Sequence, residues 1–348
     1  MSTPAPRVTI AVLNYNGREL LDVVVPSVLA LNGGGEARVI VVDNGSSDGS
    51  AEHVRASWPA VEVLDIPENI GVAAALNRAV SATRSELLAL LNNDIELEPD
   101  WLEQLVATLD AHPPAASASG KLLRFHDRST IDAAGDLMLW SGAVINRGHG
   151  MLDEGQFDAE EAVFAACAGA ALYRRSAFQV VGAFDESFFA YLEDIDWGVR
   201  AQLAGFESRY VGAAVGYHMG GATTSRRKGF YGRLQRRNSL LLIAKDFPLQ
   251  SLLRYGWKIA ISQLLWLAAS ARDRMLGEHL RAWGEALRML PGALHDRRAI
   301  QRSRVAGTRE LSAAIETSLP WRGSPVERLL FELAPVTASR RRGARIET

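Results

Sequence analysis

Four short apolar runs near the start of the chain, Val8 to Leu13, Val39 to Val42, Val61 to Ile66 and Leu87 to Leu91, each give way within a few residues to Asn, Asp or Gly. Runs of this length rich in Val, Leu and Ile read as buried strands. Helical patterns lie between or after them. Arg18 to Leu31 carries Leu20, Leu21, Val24, Val28 and Leu31 at helical spacing, with Pro26 expected to kink it; Gly71 to Thr83 is Ala-rich; and Pro99 to Ala111 opens on a proline suited to the first helical position. Strands alternating with helices specify an α/β fold, a doubly wound layer around a mostly parallel sheet. Ligands of such sheets sit beyond the carboxyl ends of the strands, where these polar residues fall.

The four endings are Asn14-Tyr15-Asn16-Gly17, Asp43-Asn44-Gly45-Ser46-Ser47-Asp48-Gly49, Asn69-Ile70-Gly71 and Asn92-Asn93-Asp94. Asn, Asp and Gly also make turns and helix caps, and for Asn44, Asp48 and Gly49 that is the preferred reading. The last ending is different in kind. Three side chains that are costly to bury without partners close an apolar strand, where a plain turn would more often use Gly or Pro. Asp94 is placed to hold Mg²⁺ or Mn²⁺, which take one or two protein carboxylates and complete their shell with phosphates and water. Asn92 would assist through its carbonyl oxygen; an Asx turn is the alternative.

Farther along, Glu193, Asp194 and Asp196 put three carboxylates into four residues. A helix dipole accounts for one or two of them, but like charges this close repel, and the next turn offers only Arg200 in compensation. An aspartate here is ionised at neutral pH unless strongly desolvated, and so ready to accept a proton. His218 follows the run Val211 to Tyr217 and precedes Met219-Gly220-Gly221. It reads equally as a metal ligand, a phosphate contact or a structural histidine.

The 348 residues, 48% of them hydrophobic, suffice for one large domain or two moderate ones. Cys167 is the only cysteine, which excludes an intramolecular disulfide and a multi-cysteine metal site; in its ACAGAAL setting it reads as a small core residue. Charge is divided unevenly. Residues 1–225 hold 14 Lys+Arg against 30 Asp+Glu, and residues 226–348 hold 24 against 10. An acidic half suits metal binding, and a basic half suits an anionic membrane, a polyanion or a phosphorylated substrate. The start, MSTPAPR, lacks the basic and long apolar segments of a secretion signal, so a cytoplasmic protein is expected.

In order along the chain, VLNYNG, VVDNGSSDGS, ENIGVAAALN, LLNNDIEL, GAFDESFFAYLEDIDWGVRAQLAGF and the histidine resemble the family 2 inverting glycosyltransferases of GT-A fold, in the rhamnosyltransferase-like branch that builds bacterial cell-surface polysaccharides. The resemblance covers roughly residues 7–245; its specificity lies in the order of the motifs rather than in any one. It implies a nucleotide-diphospho-sugar-binding, Rossmann-like sheet. By position, it implies that Asp43 contacts the nucleotide base, that Asn14, Asn69 and Gly71 line the donor pocket, and that Asn92-Asn93-Asp94 stands for an Asp-x-Asp motif with Asp94 on the metal. Asn92 replaces the first carboxylate of that motif, which puts strict metal dependence in question. The Glu193-Asp194 pair matches the family's acidic pair, whose aspartate is the catalytic base, and His218 matches a histidine that completes the metal shell. The implied partners are a dTDP- or UDP-linked sugar donor and a glycan or lipid-linked glycan acceptor. Rivals are transfer of galactofuranose or an N-acetylhexosamine, and a degenerate scaffold. A sugar nucleotidyltransferase would show a Gly-rich loop with Arg and Lys after the first strand, and NYNGREL is not that loop.

The organisation expected is a glycosyltransferase domain over 1–245, a helical region over 246–335 and a basic tail over 336–348. Residues 252–271 tempt a transmembrane reading, but Arg254, Lys258 and Gln263 leave too short a clean core for a bilayer of about 30 Å. An amphipathic helix in the interface, anchored by Trp257 and Trp266, and a core helix are both open. The basic segments RRKGFYGRLQRRN, HDRRAIQRSR and SRRRGAR suit anionic head groups on the cytoplasmic face of the inner membrane, a lipid diphosphate, or plain solvation. No fold signature for nucleic-acid binding is present.

Overall fold

A computed structural model describes residues 6–32, 37–167, 169–220, 228–317 and 333. The basic tail, the opening residues of RRKGFYGRLQRRN and Gly221 lie outside them. Twelve strands are described: β1 (Val8–Asn14), β2 (Arg38–Asn44), β3 (Glu62–Ile66), β4 (Leu87–Asn92), β5 (Ile95–Leu97), β6 (Ala115–Arg124), β7 (Asp127–Ala133), β8 (Asp136–Met138), β9 (Val144–Asn146), β10 (Glu161–Val163), β11 (Ala170–Arg174) and β12 (Glu207–His218). The described α-helices are α1 (Arg18–Leu29), α2 (Ser50–Ser57), α3 (Val72–Ala82), α4 (Trp101–Ala111), α5 (Arg175–Val181), α6 (Glu193–Leu203), α7 (Lys228–Asp246), α8 (Leu249–Arg272), α9 (Leu276–Ser303) and α10 (Thr308–Thr317).

The main sheet runs β10-β12-β6-β11-β4-β1-β2-β3, with β5 paired to β12 and β7 to β6. β1 to β4 are mutually parallel where they pair, and β6 is parallel to β12; β11 lies antiparallel between β4 and β6. The chain steps from β1 outward through β2 and β3, then returns to place β4 on the other side of β1. That reversal opens a crevice at the carboxyl ends of β1 and β4. Register brings the polar endings together, with Asn14 opposite Asp43 and Leu13 opposite Asn92.

Both faces of these strands are covered, which is why they read as unbroken apolar runs. Leu87, Ala89 and Leu91 join Val24, Trp101 and Leu105 on one face, while Leu88 and Leu90 join Ala75, Tyr173 and Trp197 on the other. The helix ends differ by a residue or two from expectation: α1 stops at Leu29, three residues past Pro26, and Pro99 precedes α4 rather than opening it. The larger departure is β6. Its sequence AASASGKLLR has almost no strand-favouring residues, yet it is buried along nearly its whole length between β11 and β12. Tertiary pairing overrides weak propensity there.

The expected helical C-terminal region is present among the described residues, but its helices begin at Lys228, earlier than residue 246. These helices pack on the sheet layer through a third apolar cluster containing Trp140, Phe164, Phe188, Val199, Leu242 and Phe247. A buried ionic cluster lies beneath it. Asp196 accepts from Arg200 Nε at 2.9 Å and Nη2 at 2.8 Å, and Lys245 of α7 pairs with both Asp196 and Asp185. Burial disfavours the Asp196 carboxylate, but Arg200 and Lys245 outweigh it and hold its pKa below the usual value. Burial and then the neighbouring Asp196 push the Asp246 carboxyl well above its ordinary value. The third carboxylate of the acidic segment is thus accounted for: it anchors α6 to α7.

Removing one member of a buried ion pair leaves the other uncompensated. Lys245→Met is expected to cost about 3 kcal/mol or more in urea unfolding; a loss under about 1 kcal/mol would show that the cluster is not the tie between these helices.

Candidate active site

Asn14, fully buried at the end of β1, ties three strand ends together. Its Nδ2 donates to Asp43 Oδ1 at 2.8 Å and to Ser46 Oγ at 3.2 Å, and its Oδ1 accepts from Asn93 Nδ2 at 2.7 Å. The link leaves no room for a side chain at position 17, where an added Cβ would lie 2.0 Å from Asn93 Nδ2. Asp43 also receives Ser46 N at 3.1 Å and Ser46 Oγ at 2.6 Å. A carboxylate offers about four lone-pair directions, so one remains. Ser46 went unnoticed in sequence because it sits in a run of turn residues. Asn44 bridges to the third ending, donating to Asn69 Oδ1 and the Gly71 carbonyl and accepting from Ile70 N.

Asp94 follows β4 at the turn into β5. The antiparallel register sets Ile95 opposite His218, and Met219 N donates to the Asp94 carbonyl at 2.9 Å. His218 Nε2 thereby lies 3.3 Å from Asp94 Oδ2, while Nδ1 lies 2.7 Å from Asp132 Oδ2. Burial lowers the imidazole pKa, but Asp132 and Asp94 outweigh it and push it up to about 10. A carboxylate on Nδ1 that turns Nε2 toward an acidic group is the arrangement of a metal-ligating histidine. The donor set fits a divalent cation that draws its remaining ligands from phosphate and water. Among the described residues no group of three or more His, Cys, Asp or Glu is clustered for a metal ion. Asp132, on β7, carries no sequence signal of its own, and only the fold reveals it. Asn92 has its backbone N–H on the Gly169 carbonyl at 2.8 Å, and its Nδ2 lies beside that glycine.

The acidic pair is set by an unusual turn. Phe189 has φ 63° and ψ −60°, and Ala190 N donates to the Phe188 carbonyl at 2.7 Å, a γ-turn of the strained kind. Tyr191 and Leu192 follow with φ of 69° and 67°, and α6 begins at Glu193. The Phe189 carbonyl caps α3 through Val72 N and Ala73 N. An added Cβ at Gly71 would stand 2.6 Å from the Phe189 ring and its carbonyl oxygen, so close packing as well as its φ of 89° requires glycine there. Asn238 of α7 holds the turn: its amide nitrogen donates to the carbonyls of Phe188 at 3.1 Å, Ala190 at 2.9 Å and Tyr191 at 2.7 Å. Arg237 adds bonds to the Ser187 and Phe188 carbonyls.

Glu193 is buried, and its Oε2 has no hydrogen-bond partner. Burial and then Asp194 push it up to about 8, so at neutral pH it is mostly the neutral acid. Asp194 is half-buried, with Oδ1 accepting from Ile195 N at 2.8 Å. Burial, Tyr231, Glu193 and Asp94 all raise the Tyr191 hydroxyl, so Glu193 and Asp94 both act on this one side chain. Burial, Asp136 and Asp194 raise Cys167, so it stays a thiol, packed against the core. Asn14, Asp43, Asn69, Gly71, Asn92, Asn93, Asp94 and His218 therefore cluster around the strand ends, and Glu193 and Asp194 begin the helix that follows the turn docked at Gly71.

Comparison with known proteins identifies the family and the fold. The sequence pattern of Glycosyl transferase family 2 matches residues 9–182. N-acetylglucosaminyl-diphospho-decaprenol L-rhamnosyltransferase of Mycobacterium tuberculosis (strain ATCC 25618 / H37Rv) is 28% identical over 234 residues, 59% of this chain and 74% of that protein. O-antigen biosynthesis protein RfbC of Myxococcus xanthus is 29% identical over 322 residues, 80% of this chain and 24% of that one. Among solved structures, GalNAc-T7 with UDP, GalNAc and Mn²⁺ aligns with a TM-score of 0.57 at 14% identity, over 80% of this chain and 55% of that one. Mannosyltransferase PcManGT from Pyrobaculum calidifontis, in complex with GDP-Man and Mn²⁺, aligns with a TM-score of 0.52 at 17% identity, over 92% and 89%. These likenesses bear out the GT-A fold.

Two outcomes follow from the geometry. Asn238→Asp keeps the shape of the side chain but replaces a donor with an acceptor facing three carbonyls, so it should destabilise at least as much as Asn238→Ala, by about 2 kcal/mol or more. Thermal melting of both variants checks this, and an Asp variant as stable as wild type would refute it. For His218, the folded pKa of about 10 exceeds the unfolded value near 6.5, so its stabilisation is full below pH 6.5 and is lost as pH rises through 10. In metal-free protein, His218→Asn should flatten the fall in Tm across that window; parallel curves for variant and wild type would exclude the charge pairing.

Proposed function

This chain belongs to glycosyl transferase family 2 and is a glycosyltransferase, and from that premise we propose that it transfers rhamnose from dTDP-rhamnose, with inversion, to a growing cell-surface glycan carried on a lipid diphosphate. What supports the reading is the position of Asp94, His218 and the Asn14-Asp43 network at the reversal point of the sheet, with the Glu193-Asp194 pair following the turn that docks against Gly71 and Val72. The M. tuberculosis relative, whose name specifies L-rhamnosyl transfer to a diphospho-decaprenol acceptor, supports the choice of sugar and acceptor.

The remaining lone pair of Asp43 would accept the imino N–H of the nucleotide base, a group that thymine and uracil share. Asn14 and Ser46 hold that carboxylate in place. Asp94 and His218, with the carbonyl of Asn92, would hold Mg²⁺ or Mn²⁺; such a cation, when bound, neutralises the charge building on the departing diphosphate. Asp132 fixes the His218 ring so that Nε2 faces Asp94. Asp194 accepts the proton of the attacking hydroxyl as the bond from that oxygen to the anomeric carbon forms and the bond to phosphate breaks. Attack opposite the leaving group inverts the centre. Glu193, largely neutral at pH 7, adds little charge beside Asp194.

The test is a turnover screen of dTDP-rhamnose, UDP-galactofuranose and UDP-N-acetylglucosamine with Mg²⁺, Mn²⁺ or EDTA and a lipid-linked acceptor. Metal-dependent rhamnosyl transfer is expected, lost in Asp94→Ala and reduced about 10²- to 10⁴-fold in Asp194→Asn with donor binding intact. Near-normal transfer by Asp194→Asn would remove it as the base, and donor binding without any turnover would leave a scaffold.

A further inference from the structure

Helix α8 packs Leu252, Tyr255 and Ile259 partly buried against the third apolar cluster, yet leaves a second row of apolar side chains in solvent. The α8 side chains that are fully buried are polar: Ser251, Ser262, Gln263 and Ser270. The exposed ones include Leu249 at 62%, Leu253 at 78%, Trp257 at 49% and Leu264 at 62%, together with Ile261 and Leu265. Their spacing of three or four residues aligns them in one stripe along the helix, about 24 Å long at 1.5 Å per residue. Trp266, by contrast, is half-buried with its indole N–H covered, so Trp257 is the aromatic residue of the stripe.

We propose that this stripe is a docking face for an anionic bilayer, with α8 lying in the plane of the head groups. Three observations select that occupant. The helix carries Arg254, Lys258 and Arg272 and no acidic residue, within a half of the chain where Lys and Arg outnumber Asp and Glu 24 to 10. Leu and Ile with an amphipathic indole, flanked by long cationic side chains, are the composition of an interfacial helix. A spanning mode is not available, since among the described residues no helix is long and apolar enough to cross a membrane. A second copy of the chain fits poorly, because two-fold pairing about the middle of the stripe would bring Arg254 of each copy beside Lys258 of the other. The inference deepens the proposed function, since a face of this kind would serve an acceptor embedded in the same bilayer.

Flotation of the full-length protein with vesicles of pure phosphatidylcholine, or of phosphatidylcholine and phosphatidylglycerol in equal parts, tests it without donor or acceptor. The protein should float with the anionic vesicles, less so in high salt, and hardly with the neutral ones. Leu253→Gln/Trp257→Gln/Leu264→Gln alters only exposed positions and should lower binding at least about tenfold, with unchanged Tm and unchanged donor hydrolysis. No flotation of the wild type, or equal flotation of the variant, overturns the proposal, as does a concentration-dependent dimer in light scattering that the triple substitution abolishes. Because donor hydrolysis is read separately in the same preparation, failure of docking and failure of sugar transfer are told apart.

Discussion

One side-chain amide, that of Asn238, holds the turn on which the acidic pair depends. Phe189, Tyr191 and Leu192 all adopt positive φ, a conformation that costs non-glycine residues about 1–3 kcal/mol each. The turn persists because α7 supplies donors to the carbonyls of Phe188, Ala190 and Tyr191, and because the Phe189 carbonyl closes the N-terminus of α3. Glu193 and Asp194 begin the helix that leaves this turn. Their position therefore derives from a helix some 45 residues farther along the chain, rather than from their own segment.

The C-terminal helices are in this sense part of the site. Lys245 reaches back to Asp196, one turn beyond the acidic pair, while Asn238 and Arg237 grip the backbone just before it. Arg200 and Lys245 face the buried Asp196 and the partly buried Asp185, and burial beside Asp196 raises the Asp246 carboxyl. Such an arrangement adds little net stability compared with an apolar core, but it fixes how α6 meets α7.

The strand-end half of the site works by register. Parallel pairing sets Asn14 level with Asp43, and the return of β4 beside β1 brings in Asn93. A one-residue slip of either strand would turn these amides into the core, where they would lie unpaired. The same apolar runs that form the sheet thus position the polar residues that follow them.

Much of this was legible in the linear chain. Period and length identified β1 to β4 and the helices between them, and the polar endings at one edge named Asn14, Asp43, Asn69, Gly71, Asn92, Asn93 and Asp94, because strand direction alone places them together. β6 was not legible: Ala and Ser carry no strand signal, and its burial comes from its neighbours. Nor were Asp132 and Asn238, since hydrogen bonds between residues as far apart as Asp132 and His218 leave no local pattern, nor Ser46, which sits in a run of turn residues. Asp196 looked like part of an acidic cluster and is instead half of a core ion pair. Sequence by itself determined the layered sheet, the edge where chemistry gathers and the family, because these follow from local periodicity and motif order. Only tertiary structure decided which carboxylates face the crevice, which are buried against cations, and which side of α8 stays apolar in water, because those depend on contacts between segments far apart in the chain.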